Sequence, residues 1–396
     1  MRFLTAGESH GPGLTVLIDD FPAGVPIALA TVNADLARRQ QGYGRGPRQK
    51  IETDTATFQG GVRFERSTGA PIAIWVENRD ARNWLPVMSA TGEPTEEAEG
   101  KRFIRPRPGH ADLAGFYKYG HTDLRDALER SSARETAARV AAGGVARCLL
   151  AALGIRIFSH VTVLGGIRVD RSELPADLNA LADLVETNDL RCGASEATQA
   201  RIRTVIDDAL RDGTTLGGEI EVVALHVPPG LGSYTQWDRK LDGLLAQAVM
   251  SIQAVKAVSI GEGELGSQVS GHDFHDEIVS GAKGNQTVAR LTNRAGGLEG
   301  GVTNGMPVIV KAVMKPISTM RTPLRSVNLD TLAEEAAHFE RSDVTAVPAC
   351  GVIAEAMVAL VLAEAVLDKF GGDCFADIEA ALKAYTARLH PVPVEF

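Results

Sequence analysis

The spacing of hydrophobic and polar positions changes several times along this chain. "PIAIWVEN" (71–78), "EIEVVALHV" (219–227) and "MPVIVKAVM" (306–314) are short runs rich in Val and Ile and bounded by Gly or Pro, a pattern that predicts strands. The five residues before Ala6 read as another. "SARETAARVAAGGVARCLLAALG" (132–154) starts on a serine, carries acid in its first turn and ends at glycine, so it predicts a helix. Gly143 and Gly144 weaken that helix and predict close packing against a neighbour. "RKLDGLLAQAVMSIQAVKAVSIG" (239–261) predicts a mostly apolar helix and "LDTLAEEAAHFER" (329–341) an amphipathic one. The longest apolar stretch, "GVIAEAMVALVLAEAVL" (351–367), carries Glu355 and Glu364 and falls short of a membrane span; it reads as a buried helix, the C-terminal helix ending at Gly371-Gly372.

Strands and helices therefore mix, as in one large α/β or α+β unit or two intimate halves. A chain of 396 residues allows either. "GGVRFERSTGAPIAIWVEN" from Gly60 and "GGVTNGMPVIVKAVMKP" from Gly300 both run Gly-Gly-Val, Gly-x-Pro, apolar strand, a weak hint of duplicated halves. The acid-rich "SATGEPTEEAEGK" (89–101) reads as an exposed insertion.

Composition adds limits. With 44% hydrophobic and 23% charged residues the chain has material for a sizeable core. "MRFLTAGESHG" lacks a basic region followed by an apolar run, so the expectation is a cytoplasmic protein with no membrane role. Cys148, Cys192, Cys350 and Cys374 form no CxxC pair, which predicts packed thiols and no metal cluster. A net charge of −9 and 5% aromatics argue against nucleic acid as a partner.

Two windows depart from that acidic average. "RRQQGYGRGPRQK" (38–50) holds five cations and no acid, and "KRFIRPRPGH" (101–110) holds four and no acid. Arg outnumbers Lys 31 to 10 throughout, so the acid-free clustering is the better signal. Arg-rich loops of this kind suit bidentate capture of carboxylate or phosphate, against a solvated face as the bland alternative. "GEGELG" (261–266) matches a dinucleotide glycine spacing but no helix follows it, and "HDFHDE" (272–277) is a weak metal candidate in a polar loop.

Three segments carry better chemistry. "GESHG" sets His10 among glycines that permit close ligand approach; "RPRPGHAD" (105–112) stiffens a loop that delivers Arg107 and His110 together; "ERSSARETAARVAAG" (129–143) puts serines and a cation before a helix N-terminus, a geometry that favours anions. An exposed loop histidine and simple helix capping are the plainer alternatives.

With "RRQQGYGR", "SIQAVKAVSIG", "AGGLEGG", "KPIST" and "ERSDVTAVPA", these segments stand in the order found in the chorismate synthase family, which the chain resembles over nearly its whole length. The resemblance implies a single domain over residues 1–396, an α+β fold of the β-α-β sandwich type with two pseudo-duplicated halves, and a homotetramer. It implies an anti 1,4-elimination of phosphate from 5-enolpyruvylshikimate 3-phosphate, giving chorismate, that requires reduced FMN without net redox. NADPH is a candidate reductant, and an external flavin reductase a candidate partner.

By the same resemblance His10 protonates the departing phosphate, His110 donates a proton near the flavin, and Asp343 takes the flavin N5 proton. Arg39, Arg45, Arg107, Arg134 and Arg341 bind substrate, and Arg39 and Arg45 also stand where NADP is contacted. Flavin contacts fall on Arg130, Ser131, Ser132, Gln253, Ala254, Gly300, Lys315, Pro316, Ile317, Ser318, Thr319 and Arg341. Gln253 and Ile317 differ from the Asn and Thr of some relatives, and Glu129, where some carry glycine, would bring negative charge near the flavin. Two alternatives remain at this point, a flavin-free lyase or isomerase on another polyanion and an RNA-binding protein using the basic loops.

Overall fold

In β2 (Gly13–Asp19), Leu14, Val16 and Ile18 are buried and alternate with more accessible residues, the period-two pattern of a strand with one face in a core. It pairs on one side with β1 (Arg2–Ala6) and on the other with β4 (Ile72–Glu77), whose far edge carries β3 (Ala56–Gly60). All pairings are antiparallel, and Val16 sits opposite Ile74 on the inner face. The computed structural model describes residues 1–46, 53–281, 287–340, 342–389 and 392–393.

A second antiparallel sheet is formed by β5 (Arg156–Leu164), the two-residue β6 (Ile167–Arg168), β7 (Gly218–Leu225), β8 (Val255–Ile260) and β9 (Val308–Met314), in the spatial order β8-β9-β7-β5-β6. With β6 set aside, both sheets run first, second, fourth, third in chain order. The fold is α+β. The sequence-predicted strands at 71–78, 219–227 and 306–314 are β4, β7 and β9.

Helix α1 (Leu29–Gln40) precedes β3, and α2 (Asp112–Tyr119), α3 (Arg125–Ser131) and α4 (Thr136–Ala152) follow β4. The α4 helix packs on the first sheet through β2, and α6 (Val347–Phe370) packs on β5 and β7 of the second. The two helices also pack on each other. Gly143 makes this contact possible, because a Cβ there would lie 2.3 Å from the Ala356 Cβ. The predicted close packing is thus present. Helix α6 is long and apolar enough to cross a membrane, with mean hydropathy 2.2 over its most apolar window, yet 83% of that window is buried inside the protein.

Two predicted helices are corrected. The 239–261 helix stops at Met250: α5 (Leu241–Met250) gives way to a turn in which Ala254 has φ +69°, and then to β8. Val255, Val258 and Ile260 are β-branched and pair with β9, so sheet pairing outweighs the apolar helical pattern. The 329–341 helix is absent. β10 (Arg325–Val327) and β11 (Glu334–Ala336) form a hairpin there. Asn328 Oδ1 accepts from the backbone N–H groups of Asp330 and Thr331, and Leu332 takes φ +60°, a turn the amphipathic pattern hid. Gly371 ends α6 as expected, but a further helix, Phe375–Ala387, follows it.

Candidate active site

The loop between β1 and β2 carries His10, and neighbouring elements hold it rigidly. Asn78, just past β4, donates Nδ2 to the carbonyls of Glu8 (2.9 Å) and Gly11 (2.8 Å). Glu129 of α3 takes the His10 backbone N–H on Oε2 and lies against ring Nδ1 with Oε1, each at 2.8 Å. The ring rests on Trp84, centroids 4.1 Å apart, and the Arg125 guanidinium and Lys101 ammonium lie over the Trp84 ring at 4.9 and 5.3 Å. His10 and Glu129 are both buried.

His110 is held differently. Gly109, at φ +78°, turns the chain so that His110 Nδ1 lies 2.6 Å from Asp112 Oδ1. Arg107 grips the same carboxylate with Nε and Nη2, at 2.8 and 2.9 Å, and donates Nη1 to Thr319 Oγ1. Burial pushes the Asp112 carboxyl up, but the hydrogen bonds from Arg107 and His110 outweigh it and hold the group well below the usual carboxylate range.

The remaining cations converge on the same space. Asp54 is shared between Arg39 of α1 (Nη2 to Oδ2, 2.6 Å) and Arg134 just before α4, which pairs with Oδ1. Burial raises the Asp54 carboxyl, and its two arginines overcome that and lower it. Arg45 Nη1 lies 2.9 Å from Asp343 Oδ2, and Asp343 Oδ1 accepts the Gly46 N–H. Lys315 Nζ donates to Ser318 Oγ at 2.9 Å; burial, then the charge of Lys256, lowers its pKa. Ser132 Oγ donates to Ser9 Oγ, and Gln253 Nε2 to Glu135.

Many of these groups line one cavity of about 500 Å³, whose lining also includes the apolar side chains of Ile252, Met314, Ile317, Ala346, Ala349 and Ile353. The cavity gathers His10, His110, Asp343, Arg39, Arg45, Arg107, Arg134, Ser131, Ser132, Gln253, Ala254, Lys315, Ile317, Ser318 and Thr319. Arg130 is not on its wall, because that residue turns to β1 and donates to the carbonyls of Gly7 and Thr5. Gly300 also lies away from it, in a tight turn whose neighbour Gly301 accepts the Leu241 N–H at the start of α5. Pro316 connects two lining residues without lining the cavity itself. Arg341 and residues 47–50 of the first basic window lie outside the described residues.

Sequence reasoning missed Asp54, Trp84, Asn78, Asp112 and Glu340. Asp112 carried a signal, two residues after His110 inside "RPGHAD", and Glu340 opens "ERSDVTAVPA"; Asp54, Trp84 and Asn78 act across long sequence separations that no local pattern reveals. The 89–101 insertion is largely exposed, holds a short helix (Glu96–Gly100), and ends at the lysine over Trp84. Among the described residues no group of three His, Cys, Asp or Glu side chains is placed to hold a metal, and Asp276 of "HDFHDE" accepts the backbone N–H groups of Arg294 and Ala295 instead.

An α+β chain that brings this many cations and two hydrogen-bonded histidines to one cavity defines a class, an enzyme acting on a small polyanionic molecule. Comparison with known proteins narrows it. The family model for chorismate synthase matches residues 1–367. A Symbiobacterium thermophilum protein named chorismate synthase is 51% identical over 99% of both chains, and one from Aquifex aeolicus is 48% identical over 97% of both. A crystal structure of chorismate synthase aligns with TM-score 0.77 at 39% identity, covering 98% of each chain. The chain belongs to the chorismate synthase family, carbon–oxygen lyases that carry out the last step of the shikimate pathway.

Proposed function

We propose that the cavity takes 5-enolpyruvylshikimate 3-phosphate together with reduced FMN and eliminates phosphate from the substrate in an anti 1,4 sense to give chorismate. One observation carries this reading. Among the described residues five cations, Arg39, Arg45, Arg107, Arg134 and Lys315, line the cavity against two carboxylates, Glu340 and Asp343. In a chain of net charge −9 that local surplus marks a site for an anionic ligand. The residues also fit a flavin. The apolar side chains of the lining suit a ring system, and Lys315, Ser318, Ser131 and Ser132 suit its phosphate.

When bound, reduced FMN supplies electron density as phosphate departs and recovers it afterwards, so the cofactor is required without net redox. The chain's own groups do the rest. Arg39, Arg45, Arg107 and Arg134 neutralise the phosphate and carboxylates and fix their orientation. His10 gives a proton to the leaving phosphate oxygen, which makes it a better leaving group. His110, oriented by Asp112, would hold a proton on the cavity side for a bound flavin. Asp343, held in place by Arg45 and the Gly46 N–H, would accept one.

Other features support the wider reading. The common strand order of the two sheets, with α4 and α6 packed between them, fits a duplicated β-α-β sandwich over the single domain 1–396. Leu4 and Leu17, cross-strand neighbours on the outer face of the first sheet, are 66% and 45% exposed, which suits burial in a homotetramer. Four free cysteines suit the reducing cytoplasm. By the family likeness Arg39 and Arg45 would meet a reducing nucleotide such as NADPH, with an external reductase the alternative source of electrons. The test is anaerobic: protein, 5-enolpyruvylshikimate 3-phosphate and dithionite-reduced FMN, with oxidised FMN alone and oxidised FMN plus NADPH alongside. Chorismate absorbance should rise with reduced FMN and not with oxidised FMN alone. No chorismate from folded protein would return the choice to a flavin-free lyase.

A further inference from the structure

The surroundings of His10 contain a carboxylate that the reaction as described does not use. Glu129 is 2% exposed and presents both oxygens to one residue, Oε2 to the backbone N–H and Oε1 to the ring Nδ1, each at 2.8 Å. A carboxylate can only accept here, so Nδ1 carries the proton and Nε2 is the nitrogen left for proton exchange with the cavity. Three further contacts keep the arrangement from relaxing. Arg125 Nη1 donates to Glu129 Oε1 at 3.3 Å, the Ser9 N–H bonds to the Glu129 carbonyl at 3.1 Å, and Trp84 covers the imidazole.

We propose that Glu129 is the positioning residue for His10, fixing its Nδ1–H tautomer and its orientation, so that the acid faces the leaving phosphate through Nε2. The inference rests on His10 acting as the general acid, and it gives a role to the side chain that stands where some relatives carry glycine. The other charged groups about the ring are few. Arg125 lies behind Glu129 and over Trp84, Lys101 lies on Trp84, and Glu340 lies 4.0 Å from Arg125 and close enough to feel the His10 charge. Glu129 is the carboxylate in direct contact with the imidazole, and its removal takes away the principal partner of the imidazolium.

Glu129→Gln keeps the volume and one acceptor. In this variant kcat should fall about 10- to 100-fold with KM for substrate within about twofold. The ring ¹⁵N shifts of His10 in the variant should lose the single Nδ1–H pattern, because an amide can donate to Nδ1 as well as accept from it. A fall in kcat with the Nδ1–H tautomer kept in the variant would assign Glu129 to the fold alone and overturn the proposal, as would unchanged kcat. A second measurement does not depend on turnover or on the variant: the ring ¹⁵N shifts of His10 in the wild-type protein at alkaline pH. Protonated Nδ1 with bare Nε2 is expected, and the opposite tautomer overturns the proposal. Should the wild type make no chorismate with reduced FMN, the assigned reaction fails while the ring nitrogens still decide what Glu129 does.

Discussion

The two histidines of the cavity are both tied to carboxylates, but the ties span very different lengths of chain. His110 and Asp112 are two residues apart in one Pro-stiffened loop, and Arg107 of the same loop closes the group. His10 and Glu129 are 119 residues apart and meet only because α3 packs beneath the β1–β2 loop. The local group can form as soon as its turn forms. The distant one exists only when the first sheet and α3 are assembled, so it reports on tertiary structure. A short-range dyad is preserved by sequence, a long-range one by packing.

The comparison breaks most sharply through the acid itself. His10→Ala should lower kcat about 1,000-fold while substrate affinity changes little, since a proton donor acts mainly in the transition state. Rapid-quench turnover beside equilibrium binding measures both, and wild-type turnover would remove His10 from the reaction. In the local group, Asp112→Asn should be felt first as stability, because Arg107 loses a buried counter-ion; about 3 kcal/mol is expected. The sign with pH follows from the depressed carboxyl. Its stabilisation is complete above the ordinary aspartate value and is lost only as pH falls through the lower folded one. The stability gap between wild type and variant should therefore be equal at about pH 7 and about pH 5 and shrink only below about pH 4. Urea melts at these values test it, and a gap already closing between the first two would refute it. Arg45 belongs to neither dyad. Arg45→Ala should raise KM by roughly 10- to 30-fold, about 2 kcal/mol for a charged hydrogen-bonding partner, with a smaller change in kcat. Unchanged KM would place Arg45 outside the binding site.

The same distinction explains what was legible beforehand. Strands β4, β7 and β9 and helices α4 and α6 announced themselves, because each has a strong local period and clear ends. Residues 329–341 did not, since Asn328 and a left-handed Leu332 form a hairpin inside an amphipathic pattern. Residues 251–260 did not either, because only the partner strand β9 decides between helix and strand there. In the cavity, the motif residues His10, His110, Arg107 and Arg134 were readable, whereas Asp54, which joins Arg39 to Arg134, has no local signature. Arg130 and Gly300 show the reverse case, in which a matching motif does not by itself put a residue on the cavity wall.

One further consequence lies in the crossing of α4 and α6. Both helices start at the cavity: Thr136 opens α4, and Ala349, Cys350 and Ile353 are in the opening turns of α6. They touch at Gly143 and Ala356, about 10 Å along α4 from its first residue at 1.5 Å per residue. That contact is a fulcrum, and the segments reaching the cavity are its lever arms. A methyl group at position 143 would alter the calibre of the cavity without touching any group that lines it, so the gauge of the site is set by an atom that is not there.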